Sequence, residues 1–227
     1  MLPIHERFYT WQGEGVHMGR PAFFIRTFGC PLHCPWCDSA GTWHKDYVPA
    51  HVDRLSEIEL VNEMLETNAS FAVVTGGEPT IHDLRLLTAT LHDLGRAAHL
   101  ETAGCFEIKG TFDWITLSPK AAKLPLPENV FAANEFKVIV DSVEAPSHWA
   151  RMLSTPQYHG QPIWLHPEWS KRNDPAILNT ISEFVKVAGE PYRVGYQLHK
   201  LFRVDTLDRR TQPMVPLGGN PVLGSSQ

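Results

Sequence analysis

Cysteine is scarce in this chain, with four among 227 residues. A small disulfide scaffold would carry more of them and spread them out, so that class is excluded. No apolar run approaches the roughly 20 residues that a membrane-spanning helix needs, so no membrane partner is expected. The stretch from Met1 to Tyr9 carries His5, Glu6 and Arg7 and has no apolar core, so no export leader is expected. A basic excess is missing too: 20 Lys and Arg stand against 25 Asp and Glu, a formal charge of −5. A nucleic-acid binder needs a basic face, so that partner is not expected either. Internal repeats are absent, and low-complexity sequence appears only after Pro213. These absences leave a soluble, cytoplasmic, globular protein long enough to bury a sizeable core.

What is present alternates between two periods. The sequence predicts strands over Ala22–Phe28, Phe71–Thr75, Ala97–Glu101, Trp114–Leu117, Phe136–Val140, Ile163–His166 and Arg193–Leu198. Ser56 with Glu59 reads as a capping box opening a helix to Thr67, with Ile58, Val61, Met64 and Leu65 as its apolar face. Leu84, Leu87, Leu91 and Leu94 keep helical spacing up to Gly95, and a further helix starts at Asp174-Pro175 and runs to Gly189. Strands alternating with helices imply an α/β fold with a largely parallel sheet. About seven strands served by three or four helices suggest an incomplete barrel with some connections shortened. Residues 1–204 are expected to form one domain, and 205–227 a C-terminal extension that is partly disordered.

Polar residues gather where the predicted strands end: Cys30-x3-Cys34-x2-Cys37-Asp38, Gly76-Gly77-Glu78-Pro79, Glu101-Thr102, Ser118-Pro119-Lys120, His166-Pro167-Glu168 and Gln197-Leu198-His199-Lys200. In parallel α/β folds that end is where ligands bind. Three thiolates from one loop can hold three irons of a [4Fe–4S] cluster and leave the fourth open. The competing reading is a structural zinc ion, which needs a fourth ligand from His33, His44 or Cys105. Cys105 itself reads as a small buried residue, and His5, His17, His51, His92 and His159 as satisfied or solvated side chains.

The cysteine spacing, with Trp36 before the last thiol, resembles the signature of the radical S-adenosylmethionine superfamily, and Gly76-Gly77-Glu78-Pro79 resembles its second motif. Thr10-Trp11-Gln12-Gly13-Glu14-Gly15, Arg26, Cys37-Asp38-Ser39, Ser118-Pro119-Lys120 and Gln197-Leu198-His199-Lys200 narrow the resemblance to the 7-carboxy-7-deazaguanine synthase family, over roughly residues 5 to 204. The resemblance implies the superfamily's partial parallel β/α barrel. It also implies conversion of 6-carboxy-5,6,7,8-tetrahydropterin to 7-carboxy-7-deazaguanine with loss of ammonia, toward queuosine and other deazapurines. A 5′-deoxyadenosyl radical would abstract hydrogen from C6, Mg²⁺ would assist ring contraction, and S-adenosylmethionine would be regenerated.

On that resemblance Cys30, Cys34 and Cys37 hold the cluster. Trp36, Asp38, Gly77, Glu78, Ser118, Pro119, Lys120 and His166 form the S-adenosylmethionine site. Trp11, Gln12, Gly13, Glu14, Arg26, Thr75 and His199 bind the pterin, with the planar Arg26 fork matched to its carboxylate. Ser39 stands where many family members place a Thr that ligates Mg²⁺, and a Ser hydroxyl keeps the same donor. Some relatives use their C-terminal carboxylate on the substrate, whereas this chain continues well past its last predicted strand. A flavodoxin- or ferredoxin-type electron donor and a homodimer are further implications. A glycyl-radical activating enzyme would use the same cluster on a protein substrate, but Gln12, Arg26 and His199 favour a small charged one. A zinc-binding module without catalysis would leave the other motifs to chance.

Overall fold

The computed structural model describes residues 1–202, 204 and 208–212; the rest of the expected C-terminal extension lies outside the described residues. Along the chain run β1 (Leu2–Trp11), β2 (Pro21–Thr27), β3 (Asp53–Leu55), α1 (Glu57–Leu65), β4 (Phe71–Gly76), α2 (Arg85–Asp93), β5 (Ala97–Thr102), β6 (Trp114–Leu117), α3 (Pro127–Ala132), β7 (Glu135–Val140), α4 (Ala145–Leu153), β8 (Ile163–Pro167), α5 (Pro175–Ala188), β9 (Tyr192–Val194) and α6 (Leu198–Phe202). One nine-stranded sheet has the order β3-β1-β2-β4-β5-β6-β7-β8-β9. From β2 through β9 every neighbouring pair is parallel; β1 runs antiparallel to both β2 and β3. The edge strands β3 and β9 do not pair, so the architecture is the expected incomplete parallel β/α barrel, with β5 joined to β6 without an intervening α-helix.

The strand alternation divides the sheet into two faces. Phe23 and Ile25 of β2, Val74 of β4 and Leu100 of β5 pack with Leu60, Val61 and Met64 of α1 and Leu87 and Leu91 of α2. Phe136 and Val138 of β7 and Leu165 of β8 pack with Trp149 and Leu153 of α4 and Ile177 and Ile181 of α5. Full burial of each such side chain stabilises by roughly 1.5–3 kcal/mol. The inner face differs along its length. Phe8, Phe24, Phe71 and Val73 form an apolar layer, and Arg26, Thr75, Glu101 and Lys137 line a polar cleft beside it.

Several helix signals hold and others need correction. Ser56 and Glu59 form the capping box reciprocally, and Pro175 follows an Asp174 side chain that accepts from the Ala176 N–H. In α1, however, Ile58 and Leu65 are exposed and Leu60 takes the buried position, because the stripe facing the sheet is Leu60, Val61 and Met64. Leu94 lies beyond the end of α2 and is likewise exposed.

The strand β1 is not anticipated by the sequence reading, although its burial alternates at every residue. Its inward positions include Glu6 and Thr10, which break the apolar half of the pattern. The predicted final strand over Arg193–Leu198 is also corrected. It ends at Val194, and Gln197-Leu198-His199-Lys200 enters α6, where the Leu198 N–H donates to the Gly13 carbonyl at 3.1 Å. The helices α3 and α4 are not among those the sequence reading names; each carries a proline in its first turn.

Candidate active site

One cleft brings together residues that sequence reading drew from six separate segments. Trp11, Gln12, Glu14, Arg26, Cys30, Cys34, Trp36, Cys37, Asp38, Ser39, Thr75, Gly77, Glu78, Ser118, Lys120 and His199 all line it, whereas Gly13, Pro119 and His166 do not. With its open mouth counted, the cleft holds about 1570 Å³ of space outside the protein.

The cysteine loop leaves the carboxyl end of β2, and His33 within it takes a left-handed φ of 50°. That is a sterically costly conformation for a residue with a Cβ. All three thiols are partly buried, and burial raises the pKa of each. A bound cation reverses that preference by stabilising the thiolate. Cys37 Sγ already accepts from the Ser39 N–H at 3.4 Å and from Trp43 Nε1 at 3.5 Å, contacts that suit an anionic sulfur. Among the described residues no three His, Cys, Asp or Glu side chains converge closely enough to hold one metal ion. The donor set is three soft thiols from one loop, all lining one cleft, which fits a cluster with a separate iron for each sulfur.

Beside them, Gly77 follows β4 so closely that a Cβ there would overlap the Gly29 carbonyl oxygen and the Cys30 Cβ. The absence of a side chain lets the turn after β4 pack directly against the start of the cysteine loop. Glu78 is buried and satisfied by four donors: Thr80 N–H, Thr80 Oγ1, Thr102 Oγ1 and Ala103 N–H, at 3.1, 2.7, 2.5 and 2.8 Å. Its carboxylate ties the turn after β4 to the end of β5. Lys120 donates to the Ser118 carbonyl and hydroxyl, each at 2.6 Å, and lies 5.4 Å from the Trp36 ring centroid. Burial pushes its pKa down to about 8, so the ammonium is still mostly charged at neutral pH.

The other wall is a continuous polar network. Gln12 Nε2 donates to Glu101 Oε1 at 2.9 Å, and its own Oε1 accepts from the Glu14 N–H at 3.1 Å. Lys137 Nζ is 2.6 Å from Glu14 Oε2 and 3.9 Å from Glu101 Oε2. Gln197 Nε2 donates to Glu14 Oε1 at 2.9 Å. Lys200 Nζ then donates at 2.8 Å to both Gln197 Oε1 and Asp38 Oδ2, and the Ser39 hydroxyl donates to Asp38 Oδ1 at 3.2 Å. Burial alone would raise the Glu14 and Asp38 carboxyls, but Lys137 and Lys200 respectively hold them well below the usual carboxylate range. For Lys137, burial opposes the charge, yet Glu14 and then Glu101 raise its pKa above the ordinary lysine value.

Gln12 and Glu14 enter this wall from the far end of the barrel, since β1 runs against the parallel strands. Gly13 is needed there because a Cβ would collide with the His199 ring. His166 is 1% exposed, and among the described residues neither ring nitrogen has a hydrogen-bond partner; burial lowers its pKa to about 4 and leaves it neutral. Sequence reading missed Lys137, Glu6 and Trp43. Lys137 had a usable signal: it is a lone cation in an apolar strand, the same feature that singled out Arg26. Glu6 and Trp43 gave none, because their importance rests on partners distant in sequence.

No family model matches the chain. It is 42% identical to the 7-carboxy-7-deazaguanine synthase of Synechocystis sp., over 89% of this chain and 93% of that protein. It is 35% identical to the protein of the same name from Flavobacterium psychrophilum, over 90% and 93%. The crystal structure of QueE from Escherichia coli superimposes with a TM-score of 0.72 at 32% identity, covering 87% of this chain and 94% of that one.

Proposed function

The chain belongs to the 7-carboxy-7-deazaguanine synthase family, and from that membership we propose that it converts 6-carboxy-5,6,7,8-tetrahydropterin to 7-carboxy-7-deazaguanine with loss of ammonia, a step toward queuosine. The observation that carries this reading is convergence. A three-thiol wall and a polar wall of Gln12, Glu14, Arg26 and His199 face one cleft. When bound, the [4Fe–4S] cluster and S-adenosylmethionine supply one-electron chemistry that takes hydrogen from C6 of the pterin, while Mg²⁺ supplies a hard cation for the ring contraction.

On the cofactor side, Cys30, Cys34 and Cys37 hold the cluster. The backbone at Gly77 receives the methionine moiety, and Glu78 keeps that turn in place by its four internal hydrogen bonds. Trp36, Asp38, Ser118 and Lys120 line the remainder, with Pro119 and His166 as backing behind the cleft wall. Lys120 costs less to desolvate than an ordinary ammonium because burial has already lowered its pKa.

On the substrate side, Arg26 meets the pterin carboxylate in the bidentate geometry its fork allows. Trp11, Gln12, Gly13 and Glu14 read the amide and amino edge. Thr75, which pairs in register with Arg26, adds a hydroxyl, and His199 adds a contact from α6. Ser39, beside Asp38, offers the hard oxygen that Mg²⁺ prefers. Residues 1–204 act as the catalytic domain, in a homodimer served in the cytoplasm by a flavodoxin- or ferredoxin-type donor. Among the described residues no helix is long and apolar enough to cross a membrane.

The test is anaerobic turnover of reconstituted protein with S-adenosylmethionine, reductant, Mg²⁺ and 6-carboxytetrahydropterin, followed by mass spectrometry. The expected product is 7-carboxy-7-deazaguanine, with S-adenosylmethionine not consumed in proportion. Cleavage of S-adenosylmethionine without any deazapurine would refute the substrate assignment and keep the radical chemistry.

A further inference from the structure

Arg26 does not face the cleft unaided. Its Nε donates at 2.6 Å to Oε1 of Glu6, which sits opposite it on β1. The guanidinium is thereby held through its inner edge, and its terminal nitrogens have no hydrogen-bond partner among the described residues. Glu6 is itself buried, a costly position for a carboxylate unless both oxygens are used. Its second oxygen, Oε2, accepts from the backbone N–H of Gln212 at 2.7 Å. Gln212 belongs to the C-terminal extension and lines the cleft.

The extension is anchored for this purpose by contacts away from the cleft. Asp208 Oδ2 accepts from the Tyr9 N–H at 2.9 Å, and Arg210 donates to Glu63 Oε2 on α1 at 3.1 Å. The Arg210 guanidinium also pairs with Asp208 at 2.7 Å and lies 5.4 Å from the Phe23 ring. Residues 208–212 are therefore fastened to β1 and α1 at one end and to the Glu6 carboxylate at the other.

We propose that Glu6 is a positioning residue for the substrate carboxylate: it fixes the Arg26 fork through Nε, and the C-terminal extension holds Glu6 in place through the Gln212 N–H. This inference rests on the reading that Arg26 binds the pterin carboxylate. Glu6 touches no substrate. It sets the direction of the two terminal nitrogens, which a bidentate contact needs aligned.

The experiment measures anaerobic binding and turnover of the cluster-loaded protein with 6-carboxytetrahydropterin and with tetrahydropterin lacking the carboxylate. Variants are Glu6→Gln, Glu6→Asp, Arg26→Ala and the double Glu6→Gln/Arg26→Ala. Glu6→Gln removes the charge and leaves one acceptor oxygen for two donors, Arg26 Nε and the Gln212 N–H, which should raise KM for the carboxylated pterin on the order of tenfold, with kcat changing by less than about twofold. Binding of the decarboxylated pterin and of S-adenosylmethionine should not move. Glu6→Asp, which restores the charge, should recover part of the loss, and Glu6→Gln should add nothing on the Arg26→Ala background. Asp208→Ala, outside the cleft, should shift KM in the same direction by a smaller factor.

If Arg26→Ala leaves affinity for the carboxylated pterin unchanged, the Arg26 reading fails and this inference falls with it. If Arg26→Ala weakens binding but Glu6→Gln does not, only the positioning role is overturned. Equal losses for both pterins would also overturn it, since they would mark Glu6 as a structural charge rather than a director of Arg26.

Discussion

Lys137 offers the sharpest test of the electrostatic reading. Its ammonium lies 2.6 Å from Glu14 Oε2, and the two side chains are 16% and 8% exposed. Lys137→Met keeps the length of the side chain and leaves Glu14 and Glu101 without their shared cation. Breaking a fully buried pair costs about 3–5 kcal/mol; with the residual exposure here we expect about 2–4 kcal/mol at pH 7. For a urea slope near 3 kcal/mol per M, the unfolding midpoint should fall by about 1 M.

The deficit should depend on pH, and the sign follows from the direction of each shift. In the parent protein Glu14 is held below its ordinary pKa, so its stabilisation is present above the unfolded-state value and is lost only in strong acid. That contribution is flat between pH 7 and pH 5. In the variant, burial is no longer opposed by Lys137, so the folded-state pKa of Glu14 rises above the unfolded value. The penalty is then full at pH 7 and shrinks as pH falls through the raised pKa. Anaerobic urea unfolding of both proteins, followed by tryptophan fluorescence at pH 7 and pH 5, measures the difference. No deficit at pH 7, or a deficit that stays constant down to pH 5, would refute the buried-pair argument.

Three further outcomes are expected. Gly77→Ala should weaken S-adenosylmethionine binding by at least about tenfold in anaerobic calorimetry, because the added methyl collides with backbone and with Cys30 rather than with a movable side-chain tip. Trp43→Phe removes the indole N–H that points at Cys37 Sγ, and potentiometric titration followed by electron paramagnetic resonance should find a more negative cluster potential. An unchanged potential would show that this N–H does not tune the cluster. Leu87→Ala empties a fully buried site between α2 and the sheet and should cost about 2–5 kcal/mol in the same urea assay, with KM values unaltered.

Legibility in the sequence tracked the range of the interactions concerned. The capping box at Ser56, the proline at the start of α5 and the short apolar runs of β2 and β4, each stopped by glycine, are fixed by neighbours a few residues away, and all three could be read directly. The same holds for the cysteine loop, whose ligand spacing is local. The strand β1 escaped because its inward positions include the polar residues Glu6 and Thr10, and Glu6 is tolerated in the interior only for the Arg26 and Gln212 partners that other segments bring. The last predicted strand failed for a related reason. Beyond Val194 the chain leaves the sheet and turns into α6, whose first N–H is taken by the Gly13 carbonyl.

By itself, then, the sequence determined the parallel α/β architecture, the thiol triad and the polar motifs, since each depends on periodicity or spacing along a short stretch of chain. Only the tertiary structure decided how those motifs meet. It brings Gln197 to Glu14 across 183 positions and Lys200 to Asp38 across 162, pairs Lys137 with Glu14, and ties Glu78 to the end of β5. The physical reason is that a buried charge must find a partner wherever the fold supplies one. An antiparallel first strand delivers the Gln12–Glu14 turn from the far end of the barrel, and no local pattern encodes that approach.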